Sequence, residues 1–337
     1  MRHPRRGFIR RPLLVAGFVV SACLAVSKPQ ASCGSAGCFL ITGTQEAISN
    51  PGEVTIDFSY RYIPQDRKLE GTHEVDEVLV PKVNFEDGEI EPDHHREIST
   101  HNYLVNAAVS IGLTKRVSLG IDLPLFLDRE HEHVDEVGTP EEHFTNSDGT
   151  TGFGDVRLSG RWAALSATKD LATLGGGIKT PTGAYRLRDS EGAINEPTIQ
   201  PGSGSWDPFV TAYYAHQWVP ARWEYFVSGS YMVRTENPLD YDFGNQTLAN
   251  AGVRFSPNNR CVLSVQLNGQ ASPHDFFDGH LVASTGSRLL SLTPGIMLYG
   301  GSGLGFYFHV AVPVYQDVNE AQLAPRTALV AGLSLSL

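Results

Sequence analysis

The sequence predicts an all-β protein, a 12-stranded antiparallel barrel that spans the outer membrane of a Gram-negative bacterium. Three observations support this prediction. Segments in which apolar and polar residues alternate recur from residue 52 to the C-terminus. The connections between these segments are alternately long and short. The apolar rows are continuous, whereas the opposite rows carry charges that a dry core does not tolerate.

The composition excludes several other classes of protein. Of the 337 residues, 41% are hydrophobic and 19% are charged, and the formal net charge is −11. This is too polar for a bundle of membrane-spanning helices, each of which needs about 20 apolar residues. Basic residues are clustered only near the N-terminus, so we expect no nucleic-acid partner. Four cysteines do not make a disulfide scaffold in a chain of this length.

Residues 1–27 are predicted to be a signal peptide. Five arginines and no acidic residue occur there, and an apolar run follows from Pro12 to Val26. The cleavage site lies between residues 22 and 31. Arg5 to Arg10 resembles a twin-arginine signal, so this route and the general secretory route both stay open. A lipobox-like stretch leaves open the alternative that Cys23 becomes a lipidated N-terminus.

Residues 28–51 are predicted to form a periplasmic segment ahead of the barrel, which occupies residues 52–337. This segment contains Cys33 and Cys38. The four residues between them include two glycines, which allows a disulfide in an oxidising compartment. A soft-metal site is the alternative, although no further ligands occur nearby.

The twelve predicted strands are defined by period-2 alternation. In the first, Val54 to Tyr62 places apolar side chains on one face and Asp57 and Arg61 on the other. A soluble β-sandwich is the alternative, but it would not sort its connections so regularly by length. The predicted strands are 52–63, 99–112, 117–127, 152–165, 172–183, 205–218, 223–234, 243–255, 261–270, 286–299, 304–315 and 326–337.

Charged residues on the polar faces of these strands are the candidates for a transport path. In a barrel they point into the lumen, where they either guide a solute or form a salt-bridged network that fills a narrow interior. The candidates are Asp57, Arg61, Asp122, Asp155, Arg157, Arg161, Lys179 and Asp207.

The two longest predicted connections, 65–97 and 128–151, are strongly acidic. They contain 11 and 8 of the chain's 37 acidic residues, together with six histidines. Carboxylates bind calcium or magnesium, and imidazoles bind transition metals, so a divalent-cation site is one interpretation. A solvated, self-repelling surface bridged by divalent ions to lipopolysaccharide is the other. The candidate metal ligands are His94, His95, His131 and His133.

We expect no enzymatic activity and no cofactor other than a divalent cation at these loops. Some 12-stranded outer-membrane proteins are phospholipases that use a His-x-Ser-Asn-Gly stretch, and this sequence contains none. It also has neither a glycine-rich phosphate loop nor paired catalytic carboxylates.

Three short motifs occur in order between residues 151 and 207. They are Thr151-Gly-Phe-Gly-Asp155, Gly177-Ile-Lys-Thr-Pro-Thr-Gly183 and Gly202-Ser-Gly-Ser-Trp-Asp207. Together they resemble an outer-membrane transporter β-barrel family named for the phenol-degradation (meta) pathway. The resemblance implies a channel or transporter for a small, hydrophobic or aromatic solute. It also implies that Asp155, Lys179 and Asp207 form one inward or rim network.

The sequence therefore predicts a small-solute channel in contact with outer-membrane lipid and lipopolysaccharide. Its C-terminal residues, Gly332 to Leu337, resemble the signal read by the outer-membrane assembly machinery. The alternative is a non-conducting outer-membrane barrel that binds metal ions or a partner through its first two outer loops.

Overall fold

The computed structural model describes residues 48–300 and 303–337. The predicted signal peptide, the Cys33–Cys38 pair and most of the predicted periplasmic segment lie outside the described residues. Within them, the one helical element is the 3₁₀ turn Pro197–Ile199. A search of these residues found no helix with the length and apolarity needed to cross a membrane.

Twelve long strands form the wall of the molecule, as predicted. Their bounds are β1 Val54–Glu70, β2 Glu89–Thr114, β3 Val117–Asp135, β4 Arg157–Ser166, β5 Asp170–Lys179, β6 Asp207–Val219, β7 Trp223–Met232, β8 Gln246–Asn258, β9 Cys261–Ser272, β10 Ser287–Tyr299, β11 Leu304–Val318 and β12 Ala328–Ser336.

Each strand pairs antiparallel with the next along the chain, and the last strand closes the ring. β12 pairs with β11 on one side and with β1 on the other, where Phe58 lies opposite Leu333. The backbone groups of Val54 and Leu337 exchange two hydrogen bonds of 3.1 and 2.9 Å at the seam. Closure leaves no open sheet edge, so the backbone amides and carbonyls of the strands find hydrogen-bond partners within the protein, as lipid requires.

Apolar side chains cover the outside of this barrel. They follow the alternation of each strand and are exposed, which is the pattern of a lipid-facing surface. Representative members are Phe58, Tyr60, Leu119, Leu125, Leu158, Val265, Phe306 and Phe308. Exposed aromatic residues mark both borders of the band. Trp218, Trp223 and Tyr299 lie towards the short turns, and Phe126, Phe153 and Trp206 lie towards the long connections.

Polar and charged side chains predominate inside the barrel, together with buried apolar ones such as Phe226 and Leu248. On β1, Asp57, Ser59 and Arg61 are buried between the exposed Phe58 and Tyr60. The same inward placement holds on the other strands for Ser118, Lys179, Asp207, Gln266 and His309. The apolar exterior and polar interior together define an outer-membrane β-barrel of a Gram-negative bacterium.

Three strands continue well beyond the membrane, which corrects the predicted loop boundaries. A spanning strand needs about 9–11 residues, whereas β1, β2 and β3 have 17, 26 and 19. The predicted loops 65–97 and 128–151 therefore contain long stretches of strand. Leu79–Asn84 adds to β2 there, and Ala321–Pro325 adds to β1.

The outer connections fold together into a compact cap above the barrel. A small three-stranded sheet of Tyr241–Asp242, Asp275–Phe277 and His280–Val282 forms part of it. A hydrophobic cluster from three connections holds the cap together, and its members are Val83, Phe85, Ile90, Tyr241, Phe243, Phe277 and Val282. Burial of several aromatic side chains gives this cap a core of its own.

Candidate functional site

A segment of the β5–β6 connection, residues 196–203, lies inside the outer half of the barrel. On one side it borders a cavity whose other walls include the inward residues Asp122, Arg157 and Lys179. On the other side it borders a second cavity that reaches up to the cap. Thr198 lines both cavities, so this segment stands between them. We call residues 196–203 the inserted segment.

Hydrogen bonds to the barrel wall hold the inserted segment in place. The Arg129 guanidinium donates to the Thr198 carbonyl, and the Thr150 hydroxyl donates to the Ile199 carbonyl. Within the connection itself, the Gln200 side-chain amide donates to the carbonyls of Leu187, at 2.8 Å, and Asn195, at 3.0 Å. These bonds satisfy carbonyl groups that would otherwise be buried without a partner.

The two arms of the β5–β6 connection meet at Gly183 and Gly202, and we call this point the neck. The Gly202 amide donates to the Ala184 carbonyl at 2.7 Å. A Cβ atom on Gly202 would lie 2.5 Å from the Gly183 carbonyl carbon, closer than any side chain tolerates. Both glycines belong to the motifs that carry the family resemblance, and this close approach explains why they are needed.

A buried ion network lies directly beneath the neck. Lys179 Nζ donates to Asp155 Oδ2 at 2.7 Å and contacts Asp207 Oδ2 at 2.9 Å. Arg234 Nη1 reaches the same Asp207 oxygen at 3.2 Å. The geometry therefore brings Asp155, Lys179 and Asp207 together in one network. Arg234 is a fourth member, which the motifs did not include.

The carboxylates of this network also bind the backbone of the connections. Asp155 accepts hydrogen bonds from the amides of Gly183, at 2.9 Å, and Ser203, at 2.8 Å. Asp207 accepts one from the Thr235 amide at 3.0 Å. The network thus ties the start and end of the β5–β6 connection to the barrel wall.

Four of the remaining predicted lumen residues line a cavity in the middle of the barrel, which we call the central cavity. It is bordered by Asp57, Asp122, Arg157 and Arg161. Asp57 accepts a hydrogen bond of 2.8 Å from the Tyr307 hydroxyl, and Asp122 lies opposite Arg157 in the strand register. The wall formed by β6 to β8 carries the apolar side chains of Phe209, Met232 and Leu248 together with polar ones. Arg61 lines the neighbouring cavity beneath the inserted segment.

The four predicted metal ligands lie side by side, although on strands rather than on loops. His94 and His95 are on β2, and His131 and His133 are on β3. The ring centroids of His94 and His95 are 4.7 Å apart, those of His95 and His133 are 4.6 Å apart, and those of His131 and His133 are 4.7 Å apart. All four are buried, which does not fit the interpretation as a solvated surface. We call them the histidine cluster.

Two acidic residues that the sequence did not single out, Asp135 and Asp148, lie against these histidines, and we include them in the histidine cluster. Asp135 Oδ1 lies 2.9 Å from His94 Nδ1 and 2.9 Å from His95 Nε2. Asp148 Oδ2 lies 3.6 Å from His133 Nε2. Nothing in the sequence distinguished them from the other acidic residues nearby, because their approach depends on the register of β2 with β3.

Burial and the hydrogen bonds of Asp135 shift the pKa values of the cluster in opposite directions. Burial lowers the pKa of His131 to about 4 and that of His133 to about 3, and neighbouring imidazoles act in the same direction. Burial raises the pKa of Glu97 to about 7. Burial opposes ionisation of Asp135 too, but hydrogen bonds from His94 and His95 outweigh it and lower the pKa of Asp135 well below its usual range. Burial also acts to lower the pKa of His95, but the hydrogen bond with Asp135 and the nearby carboxylates outweigh it and raise that pKa. Neutral imidazoles at His131 and His133 near the ionised Asp135 carboxylate are in the protonation states in which such groups bind metals.

Comparison with solved structures shows the fold. The chain is similar to an outer-membrane channel from Pseudomonas putida F1, with a TM-score of 0.62 and 13% identity over 89% of this chain and 100% of the other. It is less similar to the Pseudomonas putida toluene transporter TodX, with a TM-score of 0.43 and 10% identity over 91% of this chain and 95% of that one. No protein-family model and no curated protein matches the sequence. The resemblance to the phenol-pathway family stays a prediction.

Proposed function

We propose that this protein is an outer-membrane channel through which a small solute passes by way of the barrel interior. The observation that carries the proposal is the charged lumen. Below the inserted segment, two cavities lie between side chains that point inward from several strands. Charged side chains inside a barrel need water or ion partners. The similarity in fold to a solved outer-membrane channel supports the same conclusion.

The central cavity favours a solute with an apolar body and an acidic group. Phe209, Met232 and Leu248 supply an apolar patch on one wall. Arg157 and Arg161 face that wall from β4, and guanidinium groups pair well with carboxylate or sulfonate oxygens. A small aromatic acid combines these two properties. This proposal narrows the hydrophobic or aromatic solute implied by the family resemblance.

Swelling of liposomes that contain the purified protein tests the channel. We expect swelling in solutions of 4-sulfobenzoate, which does not cross lipid unaided, and slower swelling in an uncharged sugar of similar size. Protein-free liposomes are the control. Folded protein that leaves the liposomes impermeable to both solutes would contradict the proposal.

Replacing Arg161 with alanine should raise the conductance and shift the ion preference of the channel towards cations. The Arg161 side chain lines the central cavity, and its Nη1 is buried without a hydrogen-bond partner among the described residues. Its charge therefore acts on ions in the lumen. The reversal potential across a planar bilayer with a salt gradient measures the preference. Arg116→Ala, at an exposed short turn and outside the residues that line the central cavity, is the matched control and should behave as the wild type. Equal reversal potentials for Arg161→Ala and the wild type would refute this role.

A further inference from the structure

The histidine cluster contains two sets of metal-ligating groups that share one carboxylate. One set is His94, His95 and Asp135, and the other is His133, Asp135 and Asp148. Within each set, one ligand atom per residue lies within 4.8 Å of the others, and all five residues are buried. Ligands bonded to one zinc ion at about 2.0–2.1 Å stand about 3.3 Å apart. The 2.9 Å contacts of Asp135 with His94 and His95 are already close to that spacing.

Unpartnered imidazole nitrogens in the cluster point independently to a ligand. Nδ1 of His95 and Nδ1 of His133 are buried and have no hydrogen-bond partner among the described residues. The two side chains are almost completely enclosed, at 4% and 2% exposure. A buried polar atom without a partner is energetically unfavourable. A cation coordinated by such a nitrogen would supply the missing partner.

We propose that the histidine cluster is a binding site for a zinc-class divalent metal ion, with the Asp135 carboxylate shared between its two ligand sets. The nitrogen-rich donor set determines the class of metal. Imidazole suits zinc, copper and nickel, whereas calcium and magnesium prefer sites made entirely of oxygen. The site is closed by the surrounding strands, as structural metal sites are.

The metal site would connect two parts of the outer structure. Asp148 also accepts a hydrogen bond of 2.8 Å from the Ser190 amide, and its carbonyl accepts one from the Asn195 side chain. Ser190 and Asn195 belong to the β5–β6 connection that leads into the inserted segment. A metal ion bound at Asp135 and Asp148 would therefore fix this connection to the ends of β2 and β3.

Metal content after loading tests the proposal. The full-length protein is incubated with Zn²⁺ or with Ca²⁺, desalted, and analysed by mass spectrometry for bound metal. We expect at least one zinc ion per chain and no retained calcium. Asp135→Asn removes the shared carboxylate, and we expect zinc affinity in calorimetry to fall at least about tenfold.

Two further variants keep the test decisive. His94→Gln with His133→Gln removes one ligand from each set, should lose zinc in the same way, and serves if Asp135→Asn fails to fold. His73→Ala with His280→Ala, which changes two exposed histidines, should bind zinc as the wild type does. Wild-type protein without retained zinc, or unchanged affinity in both ligand variants, would overturn the proposal. Because the readout is bound metal, this failure is distinct from failure of the channel proposal.

Discussion

Replacing residues 185–201 with a short Gly-Ser-Gly linker should raise the conductance of the channel several-fold. The replaced stretch contains Thr198, which separates the cavity beneath the cap from the cavity in the lumen. Ala184 and Gly202 are already joined by a backbone hydrogen bond of 2.7 Å, so a short linker fits without moving the neck. The Lys179 network stays in place below it. Single-channel recording in planar bilayers measures the change.

The control for this variant is the replacement of a shorter loop outside the lumen. Residues 139–142 form an exposed outer turn, and their replacement by Gly-Ser should leave the conductance unchanged. If the variant that lacks residues 185–201 runs as folded protein on a gel but conducts like the wild type, the inserted segment does not restrict the path through the lumen. Both variants retain the twelve strands, so a loss of folding is not expected.

Lys179→Met should destabilise the barrel by about 3–5 kcal/mol, because it leaves the buried Asp155 carboxylate without its cation and Asp207 with Arg234 alone. The Asp207 side chain is fully buried at 0% exposure, and Asp155 is nearly so. The temperature at which the folded, faster-migrating band disappears on a gel measures the effect. Lys115→Met, at an exposed turn, should leave that temperature unchanged.

A double variant distinguishes charge imbalance from lost packing in this network. If the loss of stability in Lys179→Met comes from unpaired charge, adding Asp155→Asn should restore part of the stability, because it removes the carboxylate that has lost its cation. The amide oxygen that this substitution places at position 155 would still accept one backbone hydrogen bond. Additive losses in the double variant would instead show that the residues act separately.

The membrane-spanning part of the fold follows from the sequence, because lipid and lumen impose opposite demands on alternate residues. On β1, Phe58 and Tyr60 face lipid and Asp57 and Arg61 face the lumen, as the alternation predicts. The same rule gave all twelve strands. The family motifs also grouped Asp155, Lys179 and Asp207, which the structure brings into contact.

The outer structure did not follow from the sequence, because alternation stops where both faces of a strand meet polar surroundings. Residues 89–97 and 128–135 are mostly polar on both faces, so the alternation predicts no strand there. The register that places Glu97 opposite His133 is a long-range property of the β2–β3 pair. The inserted segment has no period at all, and its position depends on side chains such as Arg129 from another part of the chain.

The most direct test of the central claim, an apolar exterior around a wet lumen, is thiol labelling of two adjacent positions on β4. In a variant whose four native cysteines are replaced by serine, Ser159→Cys places a thiol at the central cavity and Leu158→Cys places one on the lipid-facing surface. In liposomes, a membrane-impermeant thiol reagent should modify the first variant and spare the second. Modification at position 158 with protection at position 159 would contradict the claim.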